Sequence, residues 1–121
     1  MNNIKSVNIL GTEYNVIFQT LEQNKAFIDC DGYCDPSVKK LYIRQYTEEE
    51  FKDKDFGYEN AEIIRKRVVR HEVLHAFMYE SGLWRNSFCA DMPWAMSEEM
   101  IDFYAIQTPK IFKAFESLGV L

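Results

Sequence analysis

Asn60-Ala61-Glu62-Ile63-Ile64-Arg65-Lys66-Arg67-Val68-Val69-Arg70-His71-Glu72-Val73-Leu74-His75-Ala76-Phe77-Met78-Tyr79-Glu80-Ser81 is the stretch on which the fold turns. Within it Ile64, Val68, His71, His75 and Met78 recur at spacings of four, three, four and three, the period of one helix face. Glu62, Arg65, Lys66 and Arg70 fall elsewhere around the wheel. Gly82 stops the helix, since glycine takes the left-handed conformation at helix ends without penalty.

Upstream the pattern is extended. Val7, Ile9 and Leu10, then Gly11-Thr12-Glu13, then Tyr14, Val16, Ile17 and Phe18 read as two strands reversing at Gly11. A second pair is expected at Ala26–Cys30 and Leu41–Arg44, separated by the loop formers Asp31, Gly32, Asp35, Pro36 and Ser37. Thr47 and Glu50 have the spacing of a capping box, which starts a short helix near Glu48. Downstream, Ser97 is an N-cap for a helix to about Ile106 with Glu98 and Glu99 in its first turn, and Thr108-Pro109 punctuates it. Pro109 then opens a last helix carrying Ile111, Phe112, Phe115 and Leu118, ended by Gly119. The expectation is one α+β domain over residues 1–121, with a small antiparallel β-sheet of three to four strands beside three to four helices.

Composition bounds the function. The chain has 121 residues, 47% hydrophobic and 27% charged, a globular balance. A net charge of −5 opposes phosphate backbones and anionic lipid, so neither nucleic acid nor a membrane is an expected partner. The basic run Arg65, Lys66, Arg67 and Arg70 reads as a solvated helix face. The start of the chain lacks the hydrophobic region of a signal peptide, and three cysteines (Cys30, Cys34, Cys89) are too few for a disulfide scaffold. A cytoplasmic protein with reduced thiols is expected.

His71-Glu72-Val73-Leu74-His75 matches H-E-x-x-H inside the best helical segment. Residues i and i+4 stand one above the other on a helix, so both imidazoles reach one Zn2+ at about 2.0–2.1 Å, with the intervening Glu beside the remaining coordination position. These are the chain's two histidines, and an apolar face gains nothing from two imidazoles without partners. A third ligand must therefore be a carboxylate or thiolate. The metzincin pattern fails, because Met78 and Ser81 stand where it needs Gly and His. Glu80 lies five residues past His75, about 140° round at about 100° per residue, and faces away. Glu98 is preferred because Asp102 follows four residues later on the same face, placed to orient a ligating histidine. Glu99 comes next, with Asp91 and Cys89 behind.

His71-Glu-Val-Leu-His75 followed by Ser97-Glu98-Glu99-Met100-Ile101-Asp102-Phe103-Tyr104-Ala105 resembles the minimal gluzincin pattern, and is similar to small ImmA/IrrE-type and phage-associated zinc metallopeptidases over about Ile63 to Gln107. Ile101 departs from that pattern, which has a small residue there. The resemblance implies zinc-dependent hydrolysis of a peptide or protein, with His71, His75 and Glu98 as ligands and Glu72 as general base. Oxyanion candidates are Tyr58, Tyr79, Arg85 and Tyr104, and by analogy Lys40–Gln45 is an edge strand that aligns substrate. The alternative is a zinc-stabilised binding or regulatory module that cleaves little, recognised by closure of the fourth zinc position by Cys89 or Asp91.

Overall fold

The computed structural model describes residues 4–52, 60–84 and 93–121. Strand β1 (Ile4–Ile9) turns into β2 (Thr12–Gln19) through Leu10 and Gly11, whose φ values of 50° and 92° are both in the left-handed region. Two such residues make the hairpin turn whose twist matches paired strands, and Ile9 faces Thr12 across it. After β2 the chain does not enter a strand at Ala26. Residues Lys25–Ile28 form a 3-10 turn, started by Asn24, whose side-chain oxygen accepts from the Ala26 amide at 3.1 Å. Phe27 on this turn is buried, its ring centroid 6.1 Å from that of Tyr33.

The third strand instead comprises residues expected to form the loop: β3 is Gly32–Asp35, and β4 is Lys40–Arg44. Gly32 is there for close approach rather than for a turn. A Cβ on it would lie 2.7 Å from Val68 Cγ1 and 3.0 Å from the Tyr42 carbonyl oxygen. The sheet order is β1-β2-β4-β3, with β2 and β4 parallel and the other pairs antiparallel. The sheet is therefore mixed rather than wholly antiparallel, because the chain goes first to the far edge and returns between β3 and β2. The fold class is α+β, as expected.

The capping box holds: the Glu50 amide lies 3.3 Å from Thr47 Oγ1 and the Thr47 amide 3.0 Å from Glu50 Oε1, opening α1 (Glu48–Lys52). Helix α2 (Ala61–Glu80) crosses the sheet, and Val68, Val69, Val73 and Phe77 pack on a core of Ile9, Tyr14, Val16, Phe18, Leu41, Ile43 and Ala76. Ala61, Glu72, His75 and Ala76 are its buried residues, so it buries a wider arc than the stripe from Ile64 to Met78, with the sheet on one side and another helix on the other. Gly82, at φ 82°, follows its last turn. A 3-10 turn at Trp94–Met96 leads into α3 (Glu98–Ser117), capped by Ser97, whose Oγ accepts from the Met100 amide at 3.3 Å. The break expected at Thr108-Pro109 does not occur, and Pro109 sits inside one continuous helix. No helix among the described residues is long and apolar enough to cross a membrane. Cys30 and Cys34 are free thiols.

Candidate metal centre

His71 and His75 stand one helical turn apart on α2, and α3 brings Glu98 and Asp102 against them. Glu98 Oε2 lies 3.1 Å from His71 Nε2, Glu98 Oε1 lies 3.0 Å from His75 Nε2, and the two Nε2 atoms are 3.0 Å apart. These three side chains form a group that could hold a metal ion.

Asp102 Oδ1 lies 2.9 Å from His71 Nδ1, an acceptor that favours the tautomer with its proton on Nδ1. In that tautomer Nε2 faces a Glu98 oxygen and the second imidazole nitrogen. A metal ion would supply positive charge among these three donors. The donor set fits, since two imidazole nitrogens and a carboxylate oxygen suit a borderline divalent metal. Burial holds His75 below the ordinary imidazole value, with the Glu98 charge opposing, which favours the neutral ring that ligates. His75 Nδ1 is buried with no hydrogen-bond partner among the described residues.

Glu72 is the buried acid of the site, 5% exposed, with Oε1 3.9 Å from His71 Nε2 and no place in the ligand group. Burial, and after it the Glu98 charge, pushes its carboxyl up to about 8. A cation at the three ligand atoms would pull it back down. The cleft in front of these residues has a volume of about 380 Å3 and is walled by Cys30, Gly32, Cys34 and Trp84 as well as the metal-site side chains. Trp84 stands edge-on to His75 with ring centroids 5.8 Å apart.

Glu99 is exposed and outside the ligand group, and Glu80 lies on the sheet side of α2, 2.7 Å from the Tyr14 hydroxyl. Tyr79 and Tyr104 do not line the cleft: Tyr79 lies under the Lys39 ammonium, and Tyr104 packs on Phe103. Tyr58, Arg85, Cys89 and Asp91 fall outside the described residues. The edge-strand expectation is corrected. Lys40–Arg44 is an interior strand, and β3, whose Gly32 and Cys34 wall the cleft, is the edge. Nothing local in the sequence marks Gly32, Cys34 or Trp84, because each reaches the site through tertiary packing. No family model matches the chain, and neither a curated protein nor a solved structure matches it.

Proposed function

We propose that this chain is a zinc-dependent hydrolase of peptide bonds, of the minimal gluzincin type its two motifs resemble, acting on a peptide or protein in the reducing cytoplasm. The observation that carries the reading is the convergence of His71 Nε2, His75 Nε2 and the Glu98 carboxylate within 3.1 Å, beside a buried glutamate that is not one of them. Tetrahedral zinc with bonds of about 2.0–2.1 Å spaces its ligand atoms about 3.3–3.4 Å apart, so the triangle needs to open by only a few tenths of an ångström. The exposed Glu98 side chain has room for that shift.

Bound there, zinc supplies Lewis acidity, polarising a carbonyl and lowering the ionisation of water toward about pH 7. The chain supplies the rest. Asp102 fixes the His71 tautomer and ring plane through Nδ1. Glu72 takes the proton from the attacking water and returns it to the leaving amine. The outer edge of β3 offers its backbone to an extended peptide.

The test compares wild type with Glu72→Gln on a panel of unfolded proteins, with zinc content measured on both. We expect one zinc in each and a loss of cleavage of about 10²–10⁴-fold in the variant. Equal cleavage by both would overturn the role of Glu72, and absence of zinc from both would overturn the site. The small cleft favours, as a second reading, a zinc-stabilised binding or regulatory module with little catalysis. Zinc retention without cleavage by wild type would select it.

A further inference from the structure

A four-stranded sheet is about 19 Å wide, whereas a helix with its side chains is about 10–12 Å across, so one helix covers only part of one sheet face. Here α2 lies mainly over β3 and β4, while α3 packs on α2 and on the Trp94–Met96 turn. Beside α2, on the β1–β2 side, remains a trough of about 440 Å3 floored by Val7, Val16 and Val69. No described residue fills it. Its rim carries Lys5, Arg65, Lys66 and Arg70 on a molecule whose net charge is −5. Glu62, outside the trough lining, pairs with two of these cations, 2.6 Å from Arg65 and 4.0 Å from Lys66. Arg65 lies with its guanidinium carbon 5.2 Å from the centre of the Phe18 ring, and its buried Nε–H finds no acceptor among the described residues.

We propose that this trough is a docking site for an acidic amphipathic helix of a partner protein, lying beside α2 on the β1–β2 half of the sheet. The missing width is that of one helix, the floor asks for an apolar stripe, and the rim asks for carboxylates flanking it. Other occupants fit less well. A small amphiphile needs most of its surface enclosed, and this trough is open along β1, where Lys5 is exposed. The exposed end of α3 from a second copy carries Lys110 and Lys113 against Glu116 beside Phe112 and Phe115, so its net charge opposes the rim.

Two labelled probe peptides of about 18 residues, long enough to be helical, test this on the full chain. They share one leucine stripe, flanked by Glu in one and Lys in the other. Fluorescence anisotropy should show the acidic probe binding about tenfold or more tighter than the basic one, weakening with salt. The preference should vanish or reverse in the double variant Lys5→Glu, Lys66→Glu, whose changes lie on exposed side chains and whose folding is checked by circular dichroism. Amide shifts on binding should centre on Val7, Val16 and Val69. Equal binding of the two probes, no binding at millimolar concentration, or an unchanged preference in the double variant overturns the proposal. So does self-association that fills the trough and is abolished by Phe112→Glu.

Discussion

Asp102 decides which nitrogen of His71 is free to bind. Its Oδ1 lies 2.9 Å from Nδ1, which favours the proton there and leaves Nε2 toward Glu98. Removing it in Asp102→Ala lets the imidazole rotate and change tautomer, and metal affinity should fall about 10–100-fold, measured by competition with a chromophoric chelator. Unchanged affinity would show that packing alone orients the ring. Glu80 acts at the other end of α2. It accepts from the Tyr14 hydroxyl at 2.7 Å and Thr12 Oγ1 at 3.3 Å and pairs with the Lys39 ammonium at 2.7 Å, tying the helix to the β1–β2 hairpin and the β3–β4 turn. Those partners, Lys39 first, hold its carboxyl below the ordinary value. A lowered acid contributes stability above its unfolded value and loses it as pH falls through the folded one. Wild type should therefore melt higher than Glu80→Gln at neutral pH, with the gap closing below the ordinary carboxylate range. A gap that persists in acid counts against the ion pair. At the alkaline end burial and the Glu80 bond raise Tyr14 above its ordinary 10.0, so stability declines as pH passes that value.

At the scale of elements, Pro109 shows how a helix survives a residue that should end it. Proline has no amide hydrogen for the carbonyl four residues back, here that of Ala105. Arg70 of α2 fills the gap, its Nε donating to Ala105 O at 2.6 Å, and Thr108 Oγ1 donates to Tyr104 O in the same turn. Arg70→Ala should cost about 1–3 kcal/mol by denaturant unfolding, since it strands a carbonyl. In a Pro109→Ala background the restored amide serves that carbonyl, and the same change should cost less. Strict additivity of the two would show that the cross-helix bond carries nothing. The break expected at Thr108-Pro109 is thus bridged by Arg70, 35 positions before the carbonyl it serves, which no local pattern displays. The limit recurs elsewhere. Caps at Thr47 and Ser97, the stop at Gly82 and the turn at Gly11 were legible because each depends on near neighbours. Gly32 looked like loop because glycine signals both turns and close approach, and only Val68 across the sheet tells which. The parallel β2–β4 pairing depends on where the chain returns, which strand patterns do not encode. At the site the histidine spacing was legible from the helical period. The choice of Glu98 needed α3 to lie against α2, and the walls at Cys34 and Trp84 were invisible.

Across the whole molecule the candidate centre lies where two parts meet. The sheet and α2 share the main core, whereas α3 joins through α2 and the Trp94–Met96 turn, burying Ile101 and Ala105. From Phe112 to Leu121 every residue of the chain is exposed, so α3 is anchored at its first half, where Glu98 and Asp102 meet the histidines. The His71–Glu98, His75–Glu98 and His71–Asp102 contacts bridge that seam. An ion held by His71, His75 and Glu98 would add bonds between α2 and α3. An ion that binds only the folded state adds stability that grows with its free concentration, about 2.7 kcal/mol at a hundred times its dissociation constant. Chelation should therefore lower the melting temperature, and zinc should restore it in a concentration-dependent way. Hydrogen exchange locates the effect: amides from Met100 to Ala105 should lose protection on chelation while those of β2 and β4 keep theirs, because the strands pack in a core that does not involve the seam. A uniform loss across sheet and helices would mean the metal supports the whole fold, and no loss anywhere would mean the seam holds without it.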